Sequence, residues 1–329
     1  SATTTPSPST APPNQVCATA IWNSTFSLAA GTGTAGSTAT LLYNSYDVFI
    51  DGWQSIYVVD NYNNRVQKYL AGSNIGTTVA GLSFTFGVTP TAGSAPPQLN
   101  SPTGIFVDLT GIIYVADYNN YRIQKWLPGY PFGSTVAGGR GLGTTLDKLG
   151  GVQAIYVDAQ SNIYVSDYTN HRVSLWAAGN TTAGKVVAGT SNGVAGSGIN
   201  QLNGPWGIFV TSNGTLYIVD QNNHRVQRWL RNATSGSTVA GQSGVAGAFS
   251  YQLRSPTSIT VDQYGYMYVL DSGNKRIQRW WPGSTYGITV VSSTSMLNPR
   301  GLNFDTSGNL FVADYSNHRI LKFTVTCRE

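Results

Sequence analysis

Through most of the chain, apolar and polar residues alternate in short runs, and Gly, Asn, Ser and Pro separate the runs. Alternation with a period of two predicts strands with one buried face, and the separating residues are those that suit tight turns. One run recurs. The block Y-V-V-D-N-Y-N-N-R-V-Q-K-Y-L at 57–70 returns at 114–127, 164–177, 217–230, 268–281 and 311–324. Each copy carries an Asp (Asp60, Asp117, Asp167, Asp220, Asp271, Asp314) and, five residues later, an Arg (Arg65, Arg122, Arg172, Arg225, Arg276, Arg319). Nine residues after the Asp stands an aromatic: Tyr69, Trp126, Trp176, Trp229, Trp280 or Phe323. The Asp-to-Asp steps are 57, 50, 53, 51 and 43 residues. A period of this length built from short strands marks a propeller or a solenoid.

Each unit offers four strands. A Leu/Pro lead-in opens an apolar strand, as in P-T-G-I-F-V-D at 102–108; the I-Y-V-x-D strand and the R-[VI]-Q-[KR]-[WY] strand follow. A short T-V-A-G strand comes last, at 78–81, 135–138 and 238–241, with variants at 186–189 and 289–292. A sixth copy, S-L-A-A-G at 27–31, lies before the first block, and none follows the sixth. The pattern therefore predicts an all-β, six-bladed β-propeller with four antiparallel strands per blade. An N-terminal strand completes the last blade, which removes the free edges of an open array. Cys17 and Cys327 flank this closure, and a disulfide between them would pin the ring shut. Closing so long a loop stabilises by roughly 5 kcal/mol on the chain-entropy account. Residues 1–14 form a Ser/Thr/Pro-rich tail without apolar periodicity, expected to be disordered or polyproline-like and a candidate for O-linked glycans. Residues 15–329 are expected to form one propeller domain.

Composition narrows the function classes. Charged residues make up 10% of the chain and the net charge is +5. The positive residues form no run, which argues against nucleic acid. No apolar stretch is long enough for a transmembrane helix. Four N-x-[ST] sequons occur, at Asn23, Asn180, Asn213 and Asn232. Together with the two terminal cysteines they point to an oxidising, extracellular setting, and the chain reads as a secreted, processed protein.

The blocks resemble the NHL repeat: D-x-x-N-x-R-[VI]-Q, preceded by P-x-G-[IL]-x-[VF]-D and I-Y-V-x-D, from about residue 41 to residue 326. The third unit lacks the lead-in Pro (Leu149, Gly150, Gly151), the fourth has Thr211 at the end of its first strand, and the fifth has Ser258 in place of Gly. The resemblance implies a six-bladed propeller. Among NHL proteins it implies RNA-binding modules, an amidating lyase with inward histidine ligands, or secreted proteins without assigned chemistry.

The candidate chemistry divides by symmetry. A catalytic site breaks the symmetry of repeats, whereas a packing device obeys it. The six Asp and six Arg of the blocks are present in every unit and are read as structural, with Arg forks matched to carboxylates. Asp51, Asp108, Asp158, Asp262 and Asp305 fill a second repeated slot, which leaves only Asp47 and Asp147 outside the two. The three histidines, His171, His224 and His318, occupy one slot in different units, so they are not expected to converge on a metal. Glu occurs once, at Glu329, which excludes paired-Glu acid–base chemistry. Lys68, Lys125, Arg228, Arg279 and Lys322 fill a third-strand slot and are expected to be dispersed around the outside, away from any RNA-binding face. Tyr62, Tyr118, Tyr168 and Tyr315 lie in Asn-rich turns, and Trp53 and Trp206 break the repeat; these six are the candidate contact residues.

The sequence thus predicts a secreted, glycosylated, non-catalytic binding or structural module with no cofactor and no catalytic or metal residues. Its partners would be a protein, including a second copy in an extracellular matrix or fibre, or a glycan. A metal-dependent lyase or hydrolase at the central channel and a peptide- or glycan-binding module are the alternatives.

Overall fold

A computed structural model describes residues 16–82 and 91–327. Six four-stranded antiparallel sheets stand around a central axis. The first blade runs outward from the axis through Ser45–Ile50, Ile56–Asp60, Arg65–Tyr69 and Gly76–Gly81. Four more blades follow in the same order. In the sixth, Pro299–Phe304, Leu310–Asp314 and Arg319–Phe323 are joined by Ser27–Ala30 from the N-terminal side, which pairs Ser27 with Lys322 and Ala30 with Ile320. The closure read from the sequence is therefore present. A two-residue ribbon between Ile21–Trp22 and Val325–Thr326 extends it, and this ribbon carried no repeat signal. The Cys17–Cys327 disulfide lies beside it, with the two Cα atoms 6.0 Å apart. The Ser/Thr/Pro-rich tail, 1–14, lies outside the described residues, as does Glu329.

The second strands are buried on both faces, because each blade packs against the next. Between the first and second blades, Val59, Val66 and Ala80 meet Leu99, Ile105 and Val107, with Trp126 beneath them. Each of the Val, Leu and Ile side chains contributes about 1.5–3 kcal/mol through burial. The aromatics nine residues after the repeat Asp are fully buried, as their strand position requires. A glycine before the outer strand makes room for each of the first five. A Cβ on Gly133 would stand 2.8 Å from the Trp126 ring, and one on Gly236 would stand 2.3 Å from Trp229 Nε1.

The innermost strands position the candidate site. In five of the six blades their pairing slips after the first residue, between Ser45 and Val48, Pro102 and Ile105, Val152 and Ile155, Pro205 and Ile208, and Pro299 and Leu302. A bulge re-aims the side chains it contains. Here the residues inside it, such as Tyr46 and Asp47 in the first blade, line the axial channel.

Candidate functional site at the channel mouth

The repeat Asp and Arg residues meet in pairs, one pair per blade, and none reaches the channel. Arg Nε donates to Asp Oδ2 at 2.7 Å in Asp60–Arg65, Asp117–Arg122, Asp220–Arg225 and Asp271–Arg276, at 2.9 Å in Asp167–Arg172 and at 2.8 Å in Asp314–Arg319. An Asn three residues after each Asp donates to the same carboxylate; Asn63, Asn120 and Asn223 do so at 2.8 Å. The other carboxylate oxygen accepts a backbone N–H from the lead-in loop, as from Tyr43 to Asp60 at 2.7 Å. The Arg fork then caps carbonyls of that loop, such as Thr38 and Leu41. Burial pushes the Asp60 carboxyl upward, against the pull of Arg65, the Tyr43 N–H and the Asn63 amide. The cluster ties each blade's turn to its own lead-in. The second Asp slot stabilises the opposite turn: Asp51 Oδ1 accepts N–H groups from Trp53 and Ser55.

The histidines do not come together. Each sits in a left-handed position after a short 3-10 turn, and its Nδ1 accepts a backbone N–H from the next blade. The donors are Gly204 to His171 at 3.0 Å, Ser255 to His224 at 3.2 Å and Asn44 to His318 at 3.0 Å. In the first blade Asn64 does the same for Ser101. These residues staple neighbouring blades. Burial pulls all three imidazoles below the ordinary histidine range.

Where the repeat loses its identity, the molecule has its cup. The second residue of the inner strand in five blades, and the residue just before that strand in the fifth, faces the axis; in chain order the six are Tyr46, Thr103, Gln153, Trp206, Thr257 and Arg300. Tyr46 and Trp206 come from opposite blades and stack across the channel, with ring centroids 6.0 Å apart and planes 9° apart. The Tyr46 hydroxyl donates to Gln153 Oε1 at 2.5 Å. The Arg300 guanidinium lies against Tyr315 at 4.0 Å, Tyr46 at 4.5 Å and Trp206 at 5.3 Å. No described carboxylate stands within ion-pair distance of it. Above this layer opens a cup of about 340 Å³, walled by Tyr118 and Tyr168 together with Asn61 and Asn119. Its lining is aromatic and neutral-polar, with a single cation.

Below the Tyr46–Trp206 pair the channel narrows to a cavity of about 20 Å³, room for one water. Asp47 faces it. In the other blades its slot holds Gly104, Ala154, Gly207, Ser258 or Gly301, because neighbouring strands approach closely there; a Cβ on Gly104 would stand 2.8 Å from the Gln153 carbonyl oxygen. The Asp47 carboxylate accepts N–H groups from Val48 at 2.9 Å and Ile105 at 3.2 Å and has no cationic partner. Burial raises its carboxyl to about 7.

The six candidate contact residues separate. Trp206, Tyr118, Tyr168 and Tyr315 gather at the cup. Tyr62, grouped with these tyrosines by its turn, does not join them. It is the second residue after its Asp, whereas Tyr118, Tyr168 and Tyr315 are the first, and it stacks on Tyr43 at the outside instead. The cup position in that blade belongs to Asn61. Trp53 sits in the turn after an inner strand, at the opposite face of the disc, and is 45% exposed. Tyr46, Gln153 and Arg300 were missed by the repeat reading. Their signal was present: they occupy a slot whose neighbours repeat while they do not. Third-strand Lys68 and Lys322 face Asp51 and Asp305 at 3.7 and 3.5 Å, separated from each other around the ring.

The sequons also take sides. Asn180 and Asn232 lie between third and fourth strands, Asn213 lies between a first and a second strand, and Asn23 leads into Ser27–Ala30. Strand direction places all four at the face opposite the cup, and all four are exposed. No helix among the described residues is long and apolar enough to cross a membrane. Among the described residues no group of three His, Cys, Asp or Glu could hold a metal ion. The channel contains Asp47 and no histidine, so it does not fit the His-ligated metal of an amidating lyase.

No curated protein matches the chain by sequence. Solved structures resemble it in fold. A gluconolactonase from Xanthomonas campestris superposes with a TM-score of 0.64 at 12% identity, covering 98% of this chain and 99% of that one. An auxiliary nutrient binding protein from Bacteroides ovatus gives 0.62 at 14%, covering 93% and 73%. A virginiamycin B lyase from Staphylococcus aureus gives 0.55 at 12%, covering 86% and 95%. At these identities the likeness is one of fold. The family model for the NHL repeat matches residues 99–126, 202–229 and 296–323, in the second, fourth and sixth blades. The chain therefore carries NHL repeats, at these three positions, in a six-bladed β-propeller.

Proposed function

We propose that the protein is a non-catalytic binding module, secreted and N-glycosylated on one face, whose binding site is the cup on the other. One observation carries this reading. At one slot the six blades hold six side chains of five types, and five of them line a cup with stacked rings, amides and one guanidinium that no described carboxylate neutralises. Packing within a blade is the same six times, so the differences answer to what faces the axis, the other mouth residues and a ligand without sixfold symmetry. Flat apolar rings and fixed neutral donors suit sugars and peptide segments, since aromatic rings and arginine dominate the energetics of protein recognition sites. The four sequons at the far face leave the cup free of N-linked glycans. The disulfide fits an oxidising compartment. Glycan and peptide arrays probed with the wild-type protein and with Trp206→Ala and Arg300→Ala test the reading. Binding should fall at least about tenfold in both variants. Ligands held equally well by all three proteins would move the site elsewhere.

Asp47 favours a second reading, a hydrolase or lyase with a carboxyl poised near neutral pH. The cavity before it admits one water, so a substrate would have to part Tyr46 from Trp206 to reach it. Lactone or ester turnover abolished by Asp47→Asn would establish that reading, and turnover indifferent to the change would remove it. Metal analysis of protein purified without chelator tests the metal-dependent variant of the same idea.

A further inference from the structure

The cup has a candidate occupant in the chain itself. We infer that the cup receives the Pro-rich segment 1–15 of a second copy, so that discs join face to back. The inference rests on the cup being a binding site, and it names the partner.

Three observations lead to it. The first is the chemistry of the segment. S-A-T-T-T-P-S-P-S-T-A-P-P-N-Q has no charged residue and carries prolines at Pro6, Pro8, Pro12 and Pro13. Such a sequence favours the polyproline II conformation, whose backbone carbonyls make no internal hydrogen bonds. Proline-rich segments dock on aromatic-lined grooves, where prolines lie on rings and carbonyls accept from nearby donors. The cup supplies those parts: the Tyr118, Tyr168 and Trp206 rings, with the Arg300 guanidinium and the tyrosine hydroxyls as groups that can donate. Its lack of a carboxylate at the rim fits an uncharged segment. At about 340 Å³ it takes a short stretch rather than a domain.

The second observation is where the segment is attached. Val16, the residue after it, is held by Gln263 on both sides: its N–H donates to Oε1 at 3.0 Å, and its carbonyl accepts from Nε2 at 2.5 Å. Gln263 lies in the turn after the inner strand Ser258–Val261, at the face opposite the cup. The segment therefore starts on the far side of the disc from its own cup. Fifteen residues in polyproline II span about 45 Å at about 3.1 Å per residue. That length reaches the cup of a copy stacked against this face directly.

The third observation is the face from which the segment starts. Its inner turns present Trp53, Leu109 and Tyr264, respectively 45%, 91% and 50% exposed. A stacked neighbour would cover them; because the sequons lie on this same face, the stacked form is one in which the inner-turn sequon, Asn213, carries no glycan. Cup on one face and segment on the other make a heterologous contact, which propagates instead of closing into a pair.

Sedimentation velocity over a range of concentrations, with full-length protein from an oxidising host that adds no glycans, tests the inference. The wild type should grow beyond the monomer as concentration rises. Trp206→Ala should weaken association at least about tenfold by disabling the cup. A tail variant with Pro6, Pro8, Pro12 and Pro13 all changed to Ala should weaken it similarly. The two variants mixed should form dimers and nothing larger, since one retains a working cup and the other a working tail. Thermal unfolding of each variant separates loss of association from loss of the fold. A wild type that stays monomeric at every concentration overturns the inference, as does assembly that survives the tail changes. If assembly depends on Trp206 but not on the prolines, or if the arrays find a cup ligand for a monomeric protein, the binding site stands and its occupant is something else. If neither the arrays nor assembly responds to Trp206, both readings fall.

Discussion

Each blade has an Asp–Arg slot and a channel-mouth slot, and the two slots treat the repeat in opposite ways. The first is filled by the same pair six times, with every Asp buried and every Arg donating to it through Nε. The second holds Tyr46, Thr103, Gln153, Trp206, Thr257 and Arg300. Both lie on the same scaffold at comparable distances from their strand ends. The pair is a local device: it satisfies groups within its own blade, so each blade needs it. The mouth residues look across the axis at other blades, as Tyr46 does at Trp206, so their identities answer to the assembled ring. Framework changes should therefore unfold the protein, and mouth changes should leave it folded but unable to bind.

The largest effect belongs to the closure that joins the two ends of the framework. The Cys17–Cys327 bond spans 310 residues, and its loss in Cys17→Ser with Cys327→Ser should cost about 5 kcal/mol on the chain-entropy account, read by denaturant unfolding. Asp220→Ala comes next. It leaves Arg225 buried without its carboxylate and should cost about 3–5 kcal/mol, with a clear fall in the melting temperature. If it proves neutral, the Asp–Arg slot is not the framework device described above. Trp206→Ala at the mouth should cost far less stability, on the order of 1 kcal/mol, because the ring is only half-buried, while weakening the proposed binding. A large drop in stability there would erase the contrast between the slots.

The smallest effect is a pH dependence in the blade staples. His171, His224 and His318 must be neutral at Nδ1 to accept their hydrogen bonds, and burial lowers each below the unfolded value of about 6.5. Asp167 and Asp220 face His171 and oppose the shift; Arg254 reinforces it at His224 while Asp220 and Asp271 oppose it; Asp314 opposes it at His318. A lowered folded pKa means that the unfolded chain binds protons first as pH falls. The histidine contribution should be full above about pH 6.5 and decline below it; because the raised Asp47 carboxyl acts with the opposite sign, it is read as the difference in melting temperature between the wild type and a histidine variant across that range. Asn64 makes the same staple without titrating, so His318→Asn should flatten part of that decline.

The fold was legible because its devices are local. Period-two alternation, turn residues and a repeated Asp–Arg spacing describe contacts within one blade, and six copies made the pattern unmistakable. The closure was legible too, since counting fourth strands left 27–31 as the missing one. The site was legible only in part. Tyr118, Tyr168, Tyr315 and Trp206 announced themselves as exposed or irregular aromatics, but Tyr62 was assigned to the same set by composition when one residue of offset sends it outward. Arg300 and Gln153 carry no motif. Asp47 was set apart as an Asp outside both repeated slots, yet nothing in the chain said that it lies under the cup.

The sequence by itself therefore determined the strands, the six blades, the disulfide-pinned closure and the structural standing of the Asp–Arg pairs, because each depends on residues close in the chain or on a count of repeats. Only the tertiary structure decided which residues gather at the channel mouth. Bulges in five inner strands aim their second residues at one axis, ring closure brings the first and fourth blades within stacking distance, and strand direction sends all four sequons to the far side. Those relations join residues more than 100 positions apart, and they exist only once the ring has closed.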